Sequence, residues 1–193
     1  VKATKRTEPP EGLVYRPELV SPEEEQGVLE VLESTELHAV TMRGQTARRT
    51  VRHFGLDYDY ERYGRLLPTD PLPESLEWLR DRCAELAGVE PDDLAQTLVS
   101  RYPPGAPIGW HRDAPMFGIV TGVSLLAPSR MRFQRTTDDG REVYEVALEP
   151  RSGYVLAGEV RTDWQHSIPP VKELRYSITF RTLKNPARWR GPA

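Results

Sequence analysis

Three side chains in this sequence could share one metal ion. His111 and Asp113 stand two residues apart in Gly109-Trp110-His111-Arg112-Asp113-Ala114-Pro115. On an extended segment, residues i and i+2 leave the same face, so both side chains can reach one point. A third ligand would come from a distant strand folded against the first. His166, in Asp163-Trp164-Gln165-His166-Ser167-Ile168-Pro169, is the natural candidate. Two imidazoles and one carboxylate are the ligand set of non-haem Fe(II) oxygenases, whose open positions admit a bidentate 2-oxoacid and then dioxygen. The same set could hold zinc, although zinc hydrolase sites usually show other spacings. The His-x-Asp pattern alone is short enough to recur by chance, as a surface histidine beside an aspartate.

The run Arg175-Tyr176-Ser177-Ile178-Thr179-Phe180-Arg181 adds two arginines at an even spacing. That spacing puts both on one face of a strand, roughly 20 Å apart at full extension, too far to grip one end of a small ligand together. One could hold the far carboxylate of a dicarboxylic cosubstrate. The other could reach its metal-side carboxylate or Asp113, since the guanidinium fork pairs bidentately with carboxylates. Without the ligands upstream, two solvated strand arginines would be the simpler reading.

Positioning these groups needs a packed core, and the composition allows one. A chain of 193 residues is expected to form a single domain over residues 1–193. Hydrophobic residues at 38%, with a net charge of only −3, exclude a disordered chain. The single cysteine, Cys83, excludes an internal disulfide and a Cys-based zinc site. No apolar run approaches the roughly 18 residues of a membrane span, and the first residues lack the apolar stretch of a secretory signal. The expectation is a monomer in a reducing, cytoplasmic setting with no membrane partner. A pI of about 5.9 argues against gripping duplex nucleic acid through a large basic face, while leaving room for a local patch.

A helix is predicted from Ser21 to about Thr35, with Ser21 as N-cap, Pro22 in the first turn and Glu24 completing a capping box. His38, near its end, reads as structural. A second helix is predicted over 74–87, with Leu76, Leu79, Cys83 and Leu86 on one stripe and Gly88 closing it. Cys83 therefore reads as a core residue. Beyond residue 95 the helical period gives way to β-rich runs at 96–102, 118–127, 131–136, 142–149, 153–159, 165–169 and 175–183. Turn signals such as Pro103-Pro104-Gly105 separate them. The prediction is an α+β chain with a mainly β core, a sandwich or barrel of the jelly-roll kind. Residues 1–12 are expected to be flexible. Residues 41–65 are rich in Arg and Tyr, with a short strand expected at 48–54.

The segment from Ser100-Arg101-Tyr102-Pro103-Pro104-Gly105 through Gly109-Trp110-His111-Arg112-Asp113, followed by His166 and by Arg175 to Arg181, resembles the AlkB family of Fe(II)- and 2-oxoglutarate-dependent dioxygenases. The likeness covers about residues 97–183, which become the expected catalytic core. It implies a double-stranded β-helix, jelly-roll or cupin-like, with N-terminal helices and a lid. It implies Fe(II) held by His111, Asp113 and His166, with 2-oxoglutarate and O2 as cosubstrates. Arg175 would pair with the distal carboxylate of 2-oxoglutarate, Arg181 would lie near its metal-bound end, and Tyr102 would hydrogen-bond it. Ser100 and Ser177 stand where the family often has asparagine, keeping a hydroxyl and losing the amide.

The implied activity is oxidative demethylation of alkylated bases in single-stranded DNA or RNA, releasing formaldehyde, succinate and CO2, with DNA repair as the setting. The alternative is the same chemistry on a protein side chain or small molecule. A non-catalytic module is a third reading, against which the intact triad and both arginines speak. The 41–65 stretch is similar to the family's substrate lid. There Arg48, Arg49 and Arg52 would touch phosphates, and Tyr58 or Tyr60 would stack on an extruded base, worth ~1–3 kcal/mol per base in single-strand binders. The competing reading is a solvated hairpin whose arginines pair with Asp57, Asp59 and Glu61; His53 reads as a lid or core histidine. Relatives that repair cationic bases commonly carry an acid just after the metal-binding aspartate. Here Ala114, Pro115 and Met116 follow, so a cationic base would need Glu159 or another acid instead. Trp110, Pro115, Met116 and Phe117 would suit a neutral substrate, or core packing.

Overall fold

A computed structural model of the chain describes residues 3–42, 45–59 and 65–186. The first elements are β1 (Ala3–Lys5), β2 (Leu13–Arg16), α1 (Pro22–Glu33), β3 (His38–Met42), β4 (Gln45–Phe54), β5 (Leu56–Asp59) and β6 (Arg65–Pro68). A single turn of 3-10 helix leads into α2 (Glu77–Ala87), followed by β7 (Gln96–Tyr102), β8 (Ile108–His111), β9 (Phe117–Leu125), β10 (Ser129–Thr137) and β11 (Gly140–Leu148). The chain continues through β12 (Gly153–Leu156), α3 (Gly158–Thr162), β13 (Gln165–Ile168) and β14 (Arg175–Leu183). The strands build a major sheet, β2-β12-β9-β14-β7-β4-β3, and a minor sheet, β1-β11-β10-β13-β8, with β5-β6 as a separate hairpin. This is the mainly β, jelly-roll arrangement expected from the turn spacing.

Alternation along the central strands explains where the polar residues go. Tyr176, Ile178 and Phe180 of β14, with Val99 of β7 and Val123 of β9, pack outward against Val28 and Leu32 of α1 and Leu79 and Cys83 of α2. The intervening residues of β14, Arg175, Ser177, Thr179 and Arg181, therefore face the space between the sheets. A second core fills part of that space, with Tyr102, Val120 and Leu156 from the major sheet meeting Phe133 and Ile168 from the minor sheet, and Trp164 beside them. The helices brace the outer face of the sheet that carries both arginines.

The α1 cap forms as its sequence predicts. Ser21 Oγ accepts from the Glu24 N–H at 3.2 Å, and Glu24 Oε2 accepts from the Ser21 N–H at 2.8 Å. Gly88, at φ 68°, ends α2 in the left-handed conformation that favours glycine. Several segments differ from expectation. Residues 3–5, expected to be flexible, form β1 and pair in parallel with Arg141–Val143 of β11. His38 lies on β3, not at the end of a helix. The strand expected at 48–54 is longer, since β4 starts at Gln45, and it pairs along β7 with Val51 opposite Ser100, so it extends the major sheet. The run at 153–159 leaves strand geometry after Leu156 and turns into α3.

Candidate metal centre and cavity

β8 and β13 are antiparallel neighbours, and their register sets His111 directly opposite His166. The ring centroids are 4.3 Å apart. Ile108 pairs with Ile168 two residues along β13, so β8 spends an extra residue over that interval, a bulge of the kind that re-aims side chains. Asp113 follows the end of β8, its Oδ2 lying 3.6 Å from His166 Nε2. One ligand atom from each of His111, Asp113 and His166 lies within 4.8 Å of the others, the spacing of a single ion's ligands. His111 Nδ1 is 2.8 Å from the Gly109 carbonyl oxygen. A carbonyl only accepts, so Nδ1 carries the proton and Nε2 keeps its lone pair for a metal.

The surrounding charges prepare the same state. Arg181, buried, donates from Nη2 to Asp113 Oδ1 at 3.2 Å and from Nη1 to Gln96 Oε1 at 2.9 Å. Burial alone would raise the Asp113 carboxyl, but Arg181 first, then His166, His111 and Arg161, outweigh it and hold the group well below the usual carboxylate range. Burial disfavours the charged imidazoles, pushing His166 down to about 4 and His111 in the same direction. At neutral pH the trio is one carboxylate and two neutral imidazoles, which is what a metal binds.

The trio opens into a cavity of about 1210 Å³ between the sheets. Arg175, 1% exposed, donates from Nε to Ser124 Oγ at 3.1 Å, with its guanidinium 5.0 Å from the centre of the Tyr102 ring. Its Nη1 and the Nε of Arg181 are buried with no hydrogen-bond partner among the described residues. Tyr102, Ser100 and Ser177 line the same cavity, the two serines opposite one another across β7 and β14. Buried donors without an acceptor are costly, and a dicarboxylate supplies the acceptors that these two arginines lack.

The arginines of the 41–65 stretch separate. Arg49, 8% exposed, lines the cavity and reaches Ser100 Oγ at 3.5 Å. Arg52 turns away to Asp70 and to His38 Nε2 at 3.3 Å. Arg48 is exposed beside Gly105, so neither of these two is placed at the cavity. Asp57 pairs with His53, and His53 lines the cavity. Tyr58 sits on β5 opposite Leu66, while Tyr60 and Glu61 lie outside the described residues. Glu159 does not stand in for the missing acid; it pairs with Arg135 at 3.0 Å, outside the cavity lining. Of the apolar residues expected there, Trp110, Pro115 and Phe117 line the cavity and Met116 does not.

Of the lining residues that were not anticipated, Gln96, Tyr154 and Arg161 bear most on the site. Gln96 shares a face of β7 with Leu98, Ser100 and Tyr102, and period-two alternation would have found it. Tyr154 enters from β12. Arg161, buried on α3, donates from Nη2 to the carbonyls of Ala114 at 2.7 Å and Phe117 at 3.0 Å, clamping the loop that follows Asp113.

The profile of the 2OG-Fe(II) oxygenase superfamily matches residues 12–181. The chain is 29% identical over 171 residues to the tRNA (carboxymethyluridine(34)-5-O)-methyltransferase alkbh8 of Xenopus tropicalis, over 84% of this chain and 26% of that protein. It is 26% identical over 212 residues to the Alkylated DNA repair protein ALKBH8 homolog of Arabidopsis thaliana, over 90% of this chain and 59% of that protein. It thus spans about a quarter of the first relative and three fifths of the second. The solved structure of OsALKBH1 superposes with a TM-score of 0.67 at 14% identity, covering 89% of this chain and 96% of that one, a likeness of fold.

Proposed function

The chain belongs to the 2OG-Fe(II) oxygenase superfamily and is AlkB-like, and from that premise we propose that it oxidatively demethylates alkylated bases in single-stranded nucleic acid. The observation that carries this reading is the metal-ready trio opening into a cavity where buried Arg175 has no anionic partner among the described residues. The names of the relatives, a tRNA methyltransferase and an alkylated-DNA repair protein, support the choice of nucleic acid.

When bound, Fe(II) with 2-oxoglutarate and O2 supplies a two-electron oxidation of a C–H bond, leaving succinate and CO2. The protein's part is positional. His111 Nε2, His166 and one oxygen of Asp113 would hold the iron. Arg181 occupies Asp113 Oδ1 and leaves Oδ2, 3.6 Å from His166 Nε2, as the oxygen that would meet the metal. Arg175 Nη1 would take the distal carboxylate of 2-oxoglutarate, with Tyr102, Ser100 and Ser177 along its flank. Hydroxylation of an N-methyl carbon gives an N–CH2OH group. Its O–H proton passes to the nitrogen as the C–N bond breaks, releasing formaldehyde and the unmodified base.

The test is succinate release from 2-oxoglutarate with Fe(II) and ascorbate, with and without methylated oligonucleotides, followed by mass spectrometry of the oligonucleotides. Succinate with loss of a methyl group is the expected result, and His111→Ala or Asp113→Ala should lower both by at least ~100-fold. Succinate without oligonucleotide change would transfer the same chemistry to a protein side chain or small molecule.

A further inference from the structure

The cavity is unevenly charged. Among its described lining residues Arg49, Arg112, Arg161, Arg175, Arg181 and Lys184 are cationic, and Asp113 alone is anionic. Most of these cations have work in the site already assigned. Arg181 holds Asp113, and Arg161 holds two carbonyls of the loop behind it. Arg175 faces the cosubstrate position, Arg112 donates to the Asp163 carbonyl at 2.7 Å, and Lys184 is exposed at the rim. Fe(II) and a 2-oxoglutarate dianion together bring no net charge to the balance.

Arg49 is left over. It is more than nine-tenths buried, and its single hydrogen bond among the described residues is a 3.5 Å contact to the neutral Ser100 hydroxyl. Burying a guanidinium without an anion is expensive. Its position also separates it from the cosubstrate anchor. Strand order runs β14-β7-β4, so Arg49 approaches Ser100 and Tyr102 from the side of β7 opposite Arg175. It remains close to the metal position, since after burial and Asp113 it is among the charges that bear on His111. On the β4 side, Asp57 is engaged with His53.

We propose that Arg49 is the anion-binding residue of the substrate half of the cavity, and that the substrate carries a carboxylate or phosphate beside the carbon that is oxidised. A cationic methylated base would meet a cationic wall there, with Ala114 in place of the acid and Glu159 bound elsewhere. This rests on the nucleic-acid reading for its choice of probes and narrows it to neutral bases with an anionic neighbour.

The experiment is calorimetric titration of Fe(II)-loaded, 2-oxoglutarate-saturated protein without oxygen. The probes are uridine, orotidine (a base carboxylate), uridine 5′-monophosphate, 1-methyladenosine and benzoate. Orotidine or the monophosphate should bind roughly 10- to 100-fold more tightly than uridine; whichever of the two is preferred identifies the anion's source. Arg49→Gln should reduce that preference to within about threefold, and Arg49→Lys should retain part of it, which separates lost charge from lost fold. Benzoate binding lost in Arg49→Gln, with every nucleoside silent, would keep the anion site and overturn the nucleic-acid reading. No preference for the anionic probes, tighter binding of 1-methyladenosine, a preference surviving in Arg49→Gln, or a loss that falls on the 2-oxoglutarate titration instead would each overturn the proposal.

Discussion

Arg175 and Arg181 have the same side chain on the same face of one strand, and their neighbours give them different tasks. Arg181 is saturated on two sides, by Asp113 and Gln96, and so acts as a clamp on a metal ligand. Arg175 makes one neutral hydrogen bond and keeps Nη1 buried and open. A charge-assisted hydrogen bond to a carboxylate is worth about 1.5–3 kcal/mol. Arg175→Ala should therefore raise the 2-oxoglutarate concentration for half-maximal turnover by roughly 10- to 100-fold. Direct titration should find Fe(II) binding nearly unchanged. An unaltered 2-oxoglutarate requirement would move the anchor to another residue.

At the scale of elements, α1 is tied to α2 through the residue that completes its own cap. Glu24 Oε2 accepts from the Ser21 N–H and also from Arg82 of α2 at 2.6 Å. Ser21→Ala removes one half of the capping box and should lower the unfolding free energy by about 1 kcal/mol, read from urea denaturation, while turnover holds because α1 packs on the outer face. A drop in turnover as large as the loss in stability would mean that the helices govern the cavity. The sequence made α1, α2, β7 and β14 legible because caps and alternating apolar residues are local signals. The ligand trio was legible because its spacing matches its chemistry. β1, β5 and β6 were not, because three or four residues are too few for an alternating pattern to stand out. α3 hid inside an apolar run that begins as strand, and Arg161 was hidden with it. Arg49 and Arg52 look alike in sequence; strand pairing buries the first and points the second at Asp70.

For the molecule as a whole, the site that prepares a metal ligand set also imposes a pH dependence on the metal-free fold. His166 takes its proton near 6.5 in an unfolded chain, and only at about 4 when folded, because burial disfavours its charged form. Between those values the unfolded state binds more protons, so stability should fall as pH drops from 6.5 toward 4 and should gain nothing from this group above that window. Urea midpoints of metal-free protein across this range should decline, and His166→Asn should flatten the decline. An equal decline in the variant would assign the effect to other groups.

The edges of the two sheets carry a consequence for synthesis. Ala3 pairs with Arg141 and Leu13 with Leu156, so the two segments that close the rims of β11 and β12 are made about 140 residues ahead of the strands they pair with. A ribosome adds about 5–20 residues per second, so these segments wait roughly 7–30 s before their partners emerge. In that interval β2, with Val14 and Tyr15 uncovered, has no native strand to pair with. The nascent chain is most exposed to off-pathway strand pairing in the period before residue 156 clears the exit tunnel.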